Sequence, residues 1–228
     1  MRYCTYPSWK FLSFAIVLIA VYALSTGAKA GNVSVLVLDK DGNPAPDAVV
    51  VVLVSGKGGT AQIPLPSQVT IYQEKMRFVP AISLVALGAK AQFVNKDPWE
   101  HHVRASAAGV AQFNAASGGG FELRLEGKSD GKPARAAEAT FNQTGAVLLG
   151  CHIHGSMRGQ VYVSESPWAV LTGADGIATL EQVPDGVVQI KVWHPDQLID
   201  MPPQPYTVGA ASAPLTLKLG VVPRRRRV

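Results

Sequence analysis

Cysteine is almost missing from this chain of 228 residues: there are two, Cys4 and Cys151. A small domain stapled by several disulfides is therefore excluded. Charge is also sparse, at 16% of residues, while 47% are apolar, a balance that excludes a charge-swollen disordered chain. The longest apolar run, Phe11 to Leu24, has 14 residues, short of the roughly 20 that a membrane-spanning helix needs. No amphipathic helical repeat separates the strand-like segments, so a helical bundle is excluded too. Nor is there a catalytic dyad or a nucleophile beside a base, which argues against an enzyme.

The formal charge of +5 suggests an acidic partner until its distribution is considered. Of the 21 basic residues, Arg2, Lys10 and Lys29 lie at the N-terminus and Arg224 to Arg227 form a terminal run. That leaves 14 bases against 16 acids in the body. With no basic face accompanying it, the run at 221–228 reads as a solvated basic tail, and nucleic acid is not an expected partner. Residues 1–30 have the form of an export signal: a basic start, the apolar run, then Ala28-Lys29-Ala30 before Gly31. Cleavage there predicts a periplasmic protein with no stable membrane insertion, a retained anchor being the alternative. It leaves Cys151 as the sole thiol, in an oxidising compartment where an unused thiol is a liability.

What is present in quantity is Val, Gly and Pro in a pattern of short strands and turns. Val33 to Asp39 and Ala48 to Val54, separated by Lys40-Asp41-Gly42-Asn43-Pro44, predict a buried hairpin. Ser55 to Thr60, with Pro64 and Pro66 beyond, reads as a linker. Strands are then expected at 69–73, 82–87, 89–95, 101–105, 121–125, 137–141, on to Leu149, and at 159–163. A loop rich in Ala, Gly and Ser is expected over 106–120. Further strands with Asp-Gly turns follow from Ala169 to Leu219. The class is all-β, and the spacing indicates sandwiches.

Gly150-Cys151-His152-Ile153-His154-Gly155-Ser156-Met157 is the chemically loaded stretch. A thiol, an imidazole three residues on and a thioether three further put soft and borderline donors on one loop. Such a set suits copper, since thiolate and thioether favour Cu(I) and imidazole accepts either oxidation state. Zinc is the rival metal, but structural zinc rarely recruits a thioether. A second imidazole is available from His101 or His102. These neighbours face opposite sides of a strand, so only one of them can serve. His152 is expected to face solvent, Trp99 to anchor a loop or contact a partner, and His194 to be structural.

The segment Phe93-Val94-Asn95-Lys96-Asp97-Pro98-Trp99-Glu100-His101-His102-Val103, together with Cys151-x-x-His154-x-x-Met157, resembles the cupredoxins, and among them the amicyanin and plastocyanin types. In those proteins an Asn closes a strand, a His ligand follows six residues later, and a Val stands two beyond it. His102 takes a position usually held by Asn. The short ligand loop is similar to that of amicyanin, and Met76 to Pro80 looks like the family's first β-turn. The resemblance covers about 68–164. It implies one type 1 copper ion held by His101, Cys151, His154 and a long axial Met157, with His102 as the possible alternative ligand. It further implies that Asn95 hydrogen-bonds across to the residue beside Cys151, tying the ligand loops together. The expected function is single-electron transfer between redox protein partners, with copper binding or delivery as the alternative.

The flanking segments, VSVLVLDKDGNPAPDAVVVVL and TGADGIATLEQVPDGVVQIKVWHP, resemble the transthyretin-like, carboxypeptidase regulatory-like β-sandwich. The expected architecture is therefore a Greek-key cupredoxin sandwich at 64–164 inserted in a second sandwich made of 31–60 plus 165–220. The whole is similar to exported bacterial chains labelled methylamine utilisation proteins. Gly155-Ser156 departs from the bulkier residues of that group and implies a more open metal face.

Overall fold

The computed structural model describes residue 1, residues 29–55, 61, 63–109 and 120–222. The expected signal segment and all but the start of the basic tail lie outside the described residues. Sixteen strands arranged in four sheets make up the described fold.

Two of the sheets are built from the ends of the chain. In the first, β1 (Ala30–Leu38) lies between β13 (Ile177–Pro184), antiparallel, and β16 (Leu215–Lys218), parallel. In the second, the order is β12 (Ala169–Leu171), β2 (Val49–Val54), β14 (Gly186–Trp193) and β15 (Gln204–Val208), all antiparallel. Alternate residues of β1, Val33, Val35 and Val37, face Val50, Val52, Ile190 and Val192 in a shared core, as the two-residue period of a strand requires.

The expected hairpin of the first two strands is not formed. β1 and β2 lie in opposing sheets, and only an isolated bridge between Leu38 and Pro44 joins the strand to its turn. The reason lies in the run Val49 to Val52, where all four residues are fully buried. A strand covered on both faces belongs at the centre of a sheet, with a layer above and a layer below.

The second pair of sheets comes from the middle of the chain. β4 (Arg77–Val79), β3 (Gln68–Glu74), β6 (Lys90–Asn95) and β9 (Arg135–Thr140) form one. β5 (Ile82–Ala86), β11 (Arg158–Ser164), β10 (Gly145–Gly150), β7 (His101–Ala107) and β8 (Glu122–Leu125) form the other. Ile71, Phe78, Phe93, Val103, Leu125, Leu149 and Val161 fill the space between them. The segment around Met76 proves to be a tight turn followed by the short strand β4, with Lys75 and Met76 in the left-handed region at φ 52° and 58°.

The two cores share one seam. Val49 and Val51, on the outer side of β2, pack with Trp193 of β14 against Tyr162 of β11. The Tyr162 and Trp193 rings are 5.3 Å apart, a spacing at which aromatic pairs attract. The chain enters the middle sheets after Val54 and returns at Trp168, whose carbonyl accepts from the Val52 amide at 2.8 Å.

Candidate metal centre

The connection between β10 and β11 is the loop Cys151 to Met157. Its ends are fixed by the antiparallel register, in which Gly150 opposes Arg158. Inside the loop, the Met157 amide donates to the His154 carbonyl at 2.9 Å, closing a turn over Gly155 and Ser156. The Cys151 amide donates to the Met157 carbonyl at 3.4 Å. These two bonds close the backbone of the loop around its donors. A side chain built on Gly155 would meet nothing within 4 Å.

The second segment enters from the other sheet. β6 ends at Asn95, and the chain crosses between the sheets at Asp97-Pro98 to begin β7 at His101. The first residue of β7 points inward and is fully buried, while His102 points outward. His101, Cys151 and His154 thus converge from two segments: their donor atoms all lie within 4.8 Å of one another. The two Nδ1 atoms are 3.1 Å apart, and Cys151 Sγ stands 3.5 Å from His154 Nδ1 and 3.9 Å from His101 Nδ1. Donors about 2.1 Å from one centre in a trigonal array have edges of about 3.6 Å. The triangle therefore has the dimensions of a ligand set, and the group could hold one copper ion. Met157 is buried in the core cluster that contains Cys151. His154 is partly exposed and forms the edge of the group that reaches solvent.

Asp97 fixes the buried imidazole. Its Oδ2 lies 2.8 Å from His101 Nε2, so Nε2–H donates to the carboxylate and Nδ1 is left with its lone pair facing the thiol. A carboxylate behind a ligating histidine sets the tautomer and the ring angle in this manner. The same carboxylate accepts from the amides of Lys75 at 2.7 Å and Met76 at 2.9 Å, the two left-handed residues of the β3–β4 turn. Burial alone would raise the Asp97 pKa; the Met76 amide, His101 and the Lys75 amide outweigh it and hold the carboxyl below its ordinary value. Asp97 was not among the residues expected from sequence, where Asp97-Pro98 reads only as a turn. The available signal was its position four residues before His101.

The cross-link expected of Asn95 is not made by its side chain. The fully buried amide donates to the carbonyls of Trp99, Leu125 and Glu126 at 2.8, 3.1 and 3.1 Å, and its Oδ1 accepts from the Asp97 amide at 3.0 Å. Those bonds use its donors on the loop between β6 and β7 and on the end of β8, so it braces the His101 side alone. The two ligand segments are instead joined by the backbone of His102, whose N–H points at Cys151 Sγ at 3.4 Å. The His102 ring does not join the buried group: its Nε2 lies 3.1 Å from Glu100 on the outer face. His152 is exposed, as expected, and Trp99 is 46% exposed. His194 is buried, with Nε2 directed at the Pro46 carbonyl and Nδ1 accepting from the Asp196 amide, which makes it a structural residue.

No family model matches this chain, and no curated protein does. The chain is similar to solved structures of copper proteins of the cupredoxin fold. One is amicyanin from Paracoccus versutus, at 21% identity, covering 50% of this chain and 97% of that one with a TM-score of 0.34. Another is a pseudoazurin from Sinorhizobium meliltoi, at 21% identity over 43% of this chain and 75% of that one, TM-score 0.31. A third is a copper-containing nitrite reductase from Thermus scotoductus, at 20% identity over 57% of this chain and 28% of that one, TM-score 0.35.

Proposed function

We propose that the chain is an exported type 1 copper protein that carries single electrons between redox protein partners and turns over no substrate. The observation that carries this reading is the triangle of His101 Nδ1, Cys151 Sγ and His154 Nδ1, buried but for its His154 edge, built from one cinched loop and one braced strand end. His101, Cys151 and His154 would hold one copper ion, and Met157 would be the long axial ligand. The ion, when bound, supplies a one-electron couple. The protein's own part is to keep the donors in place: Asp97 holds the His101 ring, the Cys151–Met157 backbone bond fixes the loop, and the His102 amide stabilises the thiolate. A site whose geometry is set by packing changes little between oxidation states, which is what rapid electron exchange requires. The partly exposed His154 gives the electron its shortest route to a partner.

Within this reading, residues 1–30 are a cleaved signal and the mature protein is periplasmic. Among the described residues no helix is long and apolar enough to cross a membrane. Residues 64–164 form the copper-holding unit, inserted in a second sandwich of 31–60 plus 165–220, with 221–228 as a basic tail. Deleting 64–164 and joining the flanks should leave a soluble, cooperatively melting remnant; an unfolded product would overturn the division.

Visible absorption and copper exchange on the mature protein test the function. Intense thiolate-to-Cu(II) absorption with reversible one-electron reduction is expected. A colourless Cu(I) form stripped within minutes by a mild chelator would replace electron transfer with copper delivery. Cys151→Ser should abolish the colour, and Met157→Leu should keep it with a raised potential. An unchanged potential would remove Met157 from the site.

A further inference from the structure

We propose that the outward side of the same two segments carries a second metal site, in which His102, His152 and Glu122 take a borderline divalent cation such as Zn2+ or Cu2+. The residues that follow His101 and Cys151 lie outside the triangle with their rings 6.2 Å apart and tilted by 43°, and with Glu122 their donors are spread more widely than those of the triangle, which lie within 4.8 Å. Two imidazoles sharing a tetrahedral ion have ring centres about 5 Å apart. His152, exposed on the loop, has to approach by roughly 1 Å to reach that spacing.

The His102 ring is prepared for this role. Its Nε2 lies 3.1 Å from Glu100 Oε1, and Glu100 Oε2 is in turn held by Arg124 Nε at 2.7 Å. Nε2–H therefore donates to the carboxylate, and the lone pair resides on Nδ1. Nδ1 is buried and has no hydrogen-bond partner among the described residues, an unusual condition for a ring nitrogen. The nearest carboxylate oxygen to it, Glu122 Oε1, stands 3.6 Å away. That is too long for a hydrogen bond, but adjacent nitrogen and oxygen donors on one four-coordinate ion are about 3.4 Å apart. Glu122, more than half exposed, can swing aside to admit an ion and return as its ligand, with water completing the shell. Glu100 and Glu122 are matched by Arg124 and by Arg104, the exposed residue opposite Glu122 in the register of β7 and β8, so the cluster is close to neutral before an ion enters. Glu100 acts here as a positioning residue, a carboxylate supporting a ligating histidine from behind.

This site is separate from the buried triangle but not independent of it. The His102 amide that points at Cys151 Sγ belongs to the residue whose ring would bind the ion. A second cation there stabilises the thiolate and the lower oxidation state of a neighbouring metal, so it shifts the buried couple upward.

The test is a zinc titration of the copper-loaded full-length protein, with bound metals counted after desalting and affinity read against a competing chelator. One zinc per copper is expected, with the visible absorption retained and its reduction potential raised. His102→Gln and His152→Gln, which keep the backbone intact, should each weaken zinc binding tenfold or more. Glu100→Gln should do so by about 10- to 100-fold while leaving the visible absorption in place. If copper is not taken up, the same titration on His154→Ala, where the buried triangle is broken, separates failure of the copper reading from failure of this one. No zinc equivalent beyond the buried group, or equal binding by the wild type and both histidine variants, would overturn the proposal.

Discussion

Replacing Gly127 by alanine should damage the metal centre from behind. Gly127 lies just after β8, against the backbone that leads to His101. A Cβ there would collide with the oxygen and carbon of the Pro98 carbonyl and fall 2.8 Å from the Trp99 nitrogen. Comfortable non-bonded contacts begin at about 3.5 Å, so one backbone must retreat by roughly 1 Å. Neither can do so freely. The Lys128 amide is bonded to the Asp97 carbonyl at 2.7 Å, and the Asn95 amide clamps Trp99 on one side and Leu125 and Glu126 on the other. Overpacking costs about 1–3 kcal/mol, and each of the one or two bonds broken adds about 1 kcal/mol. A loss of about 2–5 kcal/mol follows, or a fall in melting temperature of roughly 5–15 °C for a chain of this size. Because the displaced segment carries Asp97 and His101, copper affinity should fall with stability. Gly209→Ala is the control, since a Cβ there meets nothing within 4 Å. Differential scanning calorimetry of the metal-free protein, followed by copper titration, measures both effects. If Gly127→Ala melts within about 2 °C of the wild type, the backbone contact at Pro98 is not as close as described and the reasoning fails.

Other expectations follow from the same geometry. Asn95→Ala should cost about 2–4 kcal/mol in urea denaturation, because three carbonyls and one amide lose their partner in a buried place; a cost below about 1 kcal/mol would mean that water replaces the amide. Trp193→Ala should cost about 3–5 kcal/mol by opening a cavity at the seam, yet leave copper absorption unaltered at room temperature, and a changed spectrum would show that the seam shapes the site. Asp39 is another carboxyl held below its ordinary value of 3.8: burial would raise it, but Asn43, Asp41 and Gly42 donate to it and prevail. A depressed folded-state pKa stabilises the fold above the unfolded value and loses that stabilisation as pH falls through the folded value. Stability should therefore decline on acidification below about pH 4, and less steeply in Asp39→Asn; identical acid profiles would assign the decline to other carboxyls.

The group of His101, Cys151 and His154 was legible in the sequence because much of its spacing is local. Cys151, His154 and Met157 share one loop, and the inward side of His101 follows from strand alternation once β7 is placed. The supports were not legible because they depend on long-range partners. Asp97 is bound by amides of the turn at Lys75 and Met76, which only the pairing of β3 with β6 brings alongside. Asn95 is a spacing match, but which carbonyls surround it is decided by the end of β8. The same limit explains the first two strands. Alternation in Val33 to Val37 and continuity in Val49 to Val52 reveal strands and burial, whereas their division between two sheets is set by partners far downstream at β13 and β14.

Those distant pairings also impose an order of events. Val33 finds its neighbour in Leu180, and Val50 finds its own in Val192, so the outer sheets have nothing to close upon until nearly the whole polypeptide is present. Every strand that pairs with β3 through β11 lies within residues 68–164. The shorter-range body can gather while β1 and β2 wait with their valines uncovered, since contacts that close long loops form slowly. Until those partners arrive, the valines of the two strands are apolar surface open to solvent, the kind that favours aggregation.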